Sequence, residues 1–497
     1  MSDQVVILHG WSDKSDSFEN LARYLKGAGF RTVPIFLGDY VSLRNDVKID
    51  DVAKRMEEVI AERMALPKSS PRRLGPAFHL IVHSTGGLVA RRWISRYYAG
   101  RACPVQNFVM LAPANFGSKL AHRGRSIGGR LLKGLKTGLE TGDEMLYALE
   151  LSSPFQWELA RDDLFSHSGA NGRAVFYSGD KVRPFTIVGT HPYQSLAASL
   201  LNENGSDGTV RVAAANLDAR GITIDFTGGR LENPKKTPWK RRGGEVPFPL
   251  AVLPDRDHGS IVHPDEPGYS RDPEAQARLG ELICQALQVR SAQEYGRIAV
   301  EWAQLSHEST RGYAGSSRDA QGVRNRFFRK QGVSGQYFHE HYQLHVRAID
   351  EFGEPIPDYF VTFMPETKKK KMFGLRDSFT AESLFFHEEV LADVHRHRRE
   401  PANLCMYLDR YDLMRADGFY ARLRPHQAAK VAFTVTAADP GERVSYFTRS
   451  RTGRRGIIGL HGKDSKDNRW LKRHRTHFVE LIIPRIGRED LFELRRG

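Results

Sequence analysis

Leu80-Ile81-Val82-His83-Ser84-Thr85-Gly86-Gly87-Leu88-Val89 is the stretch that decides how this chain reads. The apolar run from Phe78 to Val82 is long enough for a buried strand. It passes through a single serine into two glycines, and then into Leu88, Val89, Trp93 and Tyr97 at helical spacing. A serine at such a strand-to-helix turn projects its hydroxyl above the edge of a sheet, with the unpaired N–H groups of a helix N-terminus behind it.

On either side of this stretch, short β-branched runs alternate with amphipathic segments over roughly the first 290 residues. Val5 to Leu8 reads as a strand. The segment after it carries Asp16 and Glu19 at capping-box spacing, Phe18, Leu21 and Leu25 on one helical face, and Gly27 and Gly29 as terminators. Thr32 to Leu37 gives a second strand, and Val52, Met56, Val59, Ile60 and Met64 a second helix. Further strands are expected at Phe108 to Leu111, Ala174 to Tyr177, Phe185 to Val188 and Pro249 to Leu253, and a helix from Pro273 to Leu287. After residue 300 the period changes to two, with strands expected at Tyr342 to Ile349, Tyr359 to Met364, Leu404 to Leu408, Ala429 to Thr436 and Phe478 to Ile483. The organisation expected is therefore 1–300 α/β, 301–330 linker and 331–497 β-sandwich-like.

Composition narrows the field. The 497 residues are 40% hydrophobic and 27% charged, enough apolar content for two or three packed domains. Cys103, Cys284 and Cys405 fit neither a disulfide framework nor a metal motif. No apolar run reaches the ~20 residues of a membrane span, and no basic-apolar leader precedes Val5, so the expected location is cytoplasmic or exported without a cleavable signal. The net charge of +15 favours phosphate-bearing partners. It peaks from Ala421 to Arg475, where 14 Lys or Arg face 4 Asp or Glu, interleaved with Tyr446, Phe447 and Trp470. An anionic membrane surface is the partner expected there; with no nucleic-acid-binding signature, nucleic acid is the lesser candidate.

Residues 1 to about 290 resemble the α/β-hydrolase superfamily, in its lipase and phospholipase-like serine esterases. The resemblance rests on Ile7-Leu8-His9-Gly10-Trp11, the stretch from His83 to Arg91, Leu111 to Ser118, Gly205-Ser206-Asp207-Gly208-Thr209-Val210 and Asp257-His258-Gly259-Ser260. Val82 departs from it, standing where the family has the first glycine of Gly-x-Ser-x-Gly. The resemblance implies a doubly wound, mostly parallel sheet with a helical cap insertion at about 118–165. It also implies the chain order nucleophile, acid, histidine, which Ser84, Asp207 and His258 follow. Asp180, after the expected strand Ala174 to Tyr177, is the rival acid. The oxyanion hole would use the backbone N–H groups of Thr85 and Trp11, with Ser12 as alternative to Trp11.

The function so implied is hydrolysis of lipid esters through an acyl-enzyme, with no cofactor and no metal. A leaderless lipase with an appended β domain also suits a bacterial effector or toxin. A transacylase or thioesterase would use the same residues. The rival from another class is a non-catalytic surface-binding module on a degenerate hydrolase scaffold, which Val82 favours and the survival of Ser84, Asp207 and His258 opposes. His339, His341 and His345 share one face of an expected strand with Gln343 and Arg347, and read as a solvated face rather than a metal site. The runs His395 to Arg399 and Lys368 to Lys371 read as solvated loops.

Overall fold

The computed structural model describes residues 3–8, 15–35, 46–121, 142–166, 174–194, 201–228, 234–244, 246–311, 340–365, 387, 390–409, 431–446, 458–459 and 470–487. Two compact units emerge, residues 1–218 with 240–339, and residues 219–239 with 340–497. The boundary expected near residue 300 had left 219–239 inside the first domain.

In the first unit, strands β1 (Gln4–Leu8), β2 (Arg31–Ile35), β3 (Phe78–His83), β4 (Val105–Leu111), β6 (Arg183–Gly189) and β10 (Leu250–Leu253) form one sheet in the order β10-β6-β4-β3-β1-β2, every pair parallel. The strands read as near-continuous apolar runs because a parallel sheet is covered on both faces; every residue of β1 and β3 is buried. Helices supply that cover: α1 (Ser15–Gly27), α2 (Ile49–Ala65), α3 (Gly86–Tyr97), α4 (Asp143–Leu149), α5 (Pro154–Asp163), the single turn α6 (Val212–Ala215), α7 (Pro273–Gln288) and α8 (Ala292–Arg311). A short antiparallel pair, β5 (Phe165–Ser166) with β9 (Lys240–Arg241), forms a separate two-stranded sheet.

Two expectations change here, and a third is made specific. Ala174 to Tyr177 is no strand; Tyr177 makes one isolated bridge to Val182, because Phe176 and Tyr177 turn inward while Val175 stays exposed. Helix α8 extends to Arg311, well into the expected linker, burying Tyr295, Ile298, Ala299 and Trp302 at helical spacing. In the expected cap, residues 142–165 form a packed excursion: Met145, Trp157 and Leu159 are fully buried, as core side chains are. Within that expected cap, the basic residues Arg130, Lys133 and Lys136 lie outside the described residues.

The second unit holds a mixed sheet in the order β13-β14-β11-β18-β7-β8. Its strands are β7 (Arg220–Asp225), β8 (Lys235–Pro238), β11 (His341–Asp350), β13 (Leu391–Arg396), β14 (Asn403–Asp409) and β18 (Arg475–Ile483). Strands β12 (Tyr359–Pro365), β15 (Val431–Ala437) and β17 (Ile458–Gly459) form a three-stranded sheet, and β16 (Val444–Tyr446) pairs with β19 (Arg485–Gly487). Tyr359, Val361 and Phe433 of the smaller sheet share one apolar core with Tyr342, Leu344, Val346, Leu404, Met406 and Leu481 of the larger, giving the expected sandwich-like layering. Residues 219–239 belong here because β7 runs parallel to β18 in a register from His477↔Arg220 to Ile482↔Asp225. Gly221 makes that pairing close, since a Cβ there would lie 2.1 Å from the Trp239 ring, which stacks on Phe478.

The other face of that sheet overturns the solvated-face reading. His341 and His345 are 2% and 0% exposed, and Gln343, Cys405, Tyr407 and Thr476 are buried beside them. His341 stacks on Tyr407, and Gln343 bonds to both His345 and Thr476. His395 and His397 are buried as well; His339 and Lys368 to Lys371 lie outside the described residues. Trp470, expected on the basic surface, is buried in the apolar core. None of the three cysteines is in a disulfide.

Candidate active site

Ser84 sits at φ 52°, a left-handed conformation that costs a non-glycine residue energy and persists only where its surroundings impose it. They do so by tethering both sides of the turn. The Ser84 N–H donates to Leu111 O at 3.1 Å, and Ser84 O accepts from Ala114 N and Gly87 N, each at 3.1 Å. The helix that follows packs tightly: a Cβ on Gly87 would lie 2.8 Å from Pro113 Cβ. Below the turn, the buried Arg91 guanidinium clasps Asp163 at 2.8 and 3.0 Å and donates to Asn115 O, tying α3 to α5 and to the loop after β4.

Asp207 is fully buried at the tip of the loop after residue 203. One carboxylate oxygen accepts from Thr209 N at 2.9 Å and Val210 N at 2.7 Å; the other stands 2.8 Å from His258 Nδ1. His258 Nε2 in turn lies 3.1 Å from Ser84 Oγ. The three residues expected to act together are thus brought into one hydrogen-bonded chain from three loops at the C-terminal ends of parallel strands. Such loops are where open α/β sheets place their sites.

Asp180, the rival acid, lies on an exposed turn. Asp257 is occupied elsewhere: its carboxylate caps Gly259 N and Ser260 N and accepts from the Tyr269 hydroxyl at 2.7 Å. Burial pushes the Tyr269 hydroxyl above its ordinary range, and Asp257 adds to this. Among the described residues the Thr85 N–H meets no acceptor, which leaves it available to an oxyanion. Trp11 and Ser12, the two candidates for the second donor, lie outside the described residues.

Sequence reasoning missed His83. It is buried, its Nε2–H donates to His258 O at 3.1 Å, and its ring stands 4.7 Å from the His258 ring. With His258 N–H donating to Asp207 O at 3.1 Å, the backbone of His258 is held from both sides. The signal was its place next to Ser84: the last residue of β3 must stand beside whatever faces the nucleophile. Among the described residues no group of three or more His, Cys, Asp or Glu side chains is arranged to hold a metal, and no helix is long and apolar enough to cross a membrane.

No protein-family model matches the sequence, and no curated protein matches it. Solved structures do. Phospholipase PlaB from Legionella pneumophila is similar at a TM-score of 0.74 and 23% identity, over 99% of this chain and 96% of that one. The same enzyme in complex with thio-NAD is similar at 0.71 and 22%, over 99% and 97%. At such identities the likeness is one of fold, and it extends through both units. Parallel sheet, strained serine turn and shared architecture lead to one conclusion: this chain has a lipase-like α/β-hydrolase fold with a second, mainly β unit.

Proposed function

We propose that the protein is a serine esterase acting on lipid esters, phospholipids foremost. The observation that carries the reading is the continuous relay from Asp207 through His258 to Ser84, with separations of 2.8 and 3.1 Å. A serine hydroxyl is a poor nucleophile at neutral pH and needs an imidazole to take its proton. Ser84 Oγ attacks the acyl carbonyl carbon while His258 Nε2 takes the hydroxyl proton. Asp207, its second oxygen fixed by two backbone N–H groups, keeps the Nδ1–H tautomer and stabilises the imidazolium. The carbonyl oxygen becomes an oxyanion held by the Thr85 N–H, with the Trp11 N–H as second donor. His258 then gives its proton to the leaving alcohol, and water, deprotonated by His258, releases the acid from Ser84.

Lipid esters are favoured because a solved structure that matches both units of this chain is named a phospholipase. In the same reading the second unit holds the enzyme at anionic lipid through the basic residues between Ala421 and Arg475. The test is fatty-acid release from phosphatidylglycerol vesicles. The native chain should hydrolyse them, and Ser84→Ala should lose on the order of 10⁶-fold in kcat while melting as the native protein does. Undiminished release by Ser84→Ala would refute the reading.

A further inference from the structure

The loop that presents Asp207 is closed at its neck by charge. Glu203 and Arg211 flank the acid by four residues on either side. Their side chains form a two-pronged pair, Arg211 Nε to Glu203 Oε2 at 2.7 Å and Arg211 Nη2 to Glu203 Oε1 at 2.9 Å. Lys119, just before the 122–141 stretch, adds a third charge, its Nζ 3.0 Å from Glu203 Oε1. Burial alone would raise the Glu203 carboxyl, but Arg211 and Lys119 outweigh it and hold it at about 2. Arg211 is only 2% exposed. Polar bonds run from this neck to the tip, one of them from the separate segment that holds Ser118. Ser206 Oγ donates to Glu203 O at 2.8 Å and accepts from Gly208 N at 3.2 Å, Val212 N donates to Gly205 O at 2.9 Å, and Ser118 Oγ donates to Thr209 O at 2.7 Å.

A buried ion pair is a poor way to gain stability, because desolvating the charges offsets most of their attraction. What a guanidinium fork on a carboxylate does provide is fixed geometry. Here it fixes the position of Arg211, and the two residues directly before it, Thr209 and Val210, supply the N–H groups that aim the Asp207 carboxylate. We propose that Glu203 is a positioning residue: by gripping Arg211 it sets the orientation of Asp207 toward His258 and thereby the turnover rate. The inference rests on the serine-esterase reading above.

A double-mutant cycle in the full chain tests it, with p-nitrophenyl butyrate as the water-soluble ester. In the native background Glu203→Gln should lower kcat by about 10- to 100-fold at nearly constant KM, the scale expected when a catalytic group drifts by about an ångström. In an Asp207→Asn background the same change should alter kcat by less than about threefold, because the group it positions is already lost. Glu203→Asp, which keeps the charge, should recover part of the loss. Equal losses in both backgrounds, or no loss in the native one, would overturn the inference while leaving the relay intact. An Asp207→Asn chain as active as the native one would overturn the serine-esterase reading, and this inference with it. If Glu203→Gln does not fold, Arg211→Lys, which keeps the charge but loses the fork, carries the cycle with the same expected values.

Discussion

Replacing Gly189 by alanine should disable the site from outside it. Gly189 ends β6, and a Cβ built there would lie 1.9 Å from Arg256 O and 2.6 Å from Arg256 C, two residues before His258. Real Cβ contacts begin at about 3 Å, so strand and turn must part by about 1 Å, a shift that densely packed interiors resist. The turn cannot yield by swinging Arg256 outward. That guanidinium is fully buried and donates to the carbonyls of His263, Glu266 and Gln276, while Arg256 O accepts from His191 N at 2.9 Å. The displacement is therefore passed along the chain to His258, whose 3.1 Å approach to Ser84 Oγ cannot absorb another ångström and remain a hydrogen bond. Gly189→Ala should cost about 100-fold in kcat for p-nitrophenyl butyrate. The overpacking itself should cost about 1–3 kcal/mol of stability, read from chemical denaturation. Gly296→Ala is the control, since a Cβ there meets nothing within 4 Å and the position is helical, so that chain should be active and slightly more stable. A Gly189→Ala protein within twofold of native turnover would mean that strand and turn accommodate the Cβ without displacing His258.

His477 gives a pH prediction. Burial pushes its imidazole down to about 3, and both ring nitrogens are committed in the neutral form, Nε2 accepting from Lys472 N and Nδ1–H donating to Gln343 O. The unfolded chain binds this proton near pH 6.5 and the folded one does not, so stability falls as pH drops from about 6.5 toward 3, by about 2 kcal/mol at pH 5 relative to pH 7. Denaturation of His477→Gln at those two pH values should show that much less acid sensitivity; an unchanged pH slope would count against it. A second prediction concerns the basic segment: the full chain should sediment with phosphatidylserine vesicles in a salt-sensitive way. Reversing Arg454, Arg455 and Lys472 to Glu should release it without altering hydrolysis of the soluble ester. Binding that survives both salt and reversal would dismiss the electrostatic account.

What the sequence made legible is what local chemistry decides. The buried strands, the serine turn and the order Ser84, Asp207, His258 follow from apolar runs ending in turn residues, and the structure brings those three side chains together. Pairing between distant segments was less legible. The alternation of Ile222, Ile224 and Phe226 marks β7 as a strand with one covered face, yet nothing nearby says that its partner is β18, more than 250 residues on. The histidines of β11 misled for a related reason. Alternation with Tyr342, Leu344 and Val346 identifies two faces and makes the polar one the expected solvent side, whereas His341, Gln343 and His345 are buried there. In helix α8, Tyr295, Ile298, Ala299 and Trp302 lie at helical spacing, but the stretch from Ser306 to Arg329 is polar and Arg-rich, as a linker is, and its composition hides where the helix ends.

If Ser84 is a nucleophile activated by His258 and Asp207, covalent capture should reveal it. The native chain, incubated with a fluorophosphonate and mapped by peptide mass, should carry one phosphonyl adduct on Ser84. The adduct should be absent from Ser84→Ala and form at least 100-fold more slowly in His258→Ala, where the base is gone. An unlabelled native chain, or an adduct on any residue other than Ser84, would contradict the account.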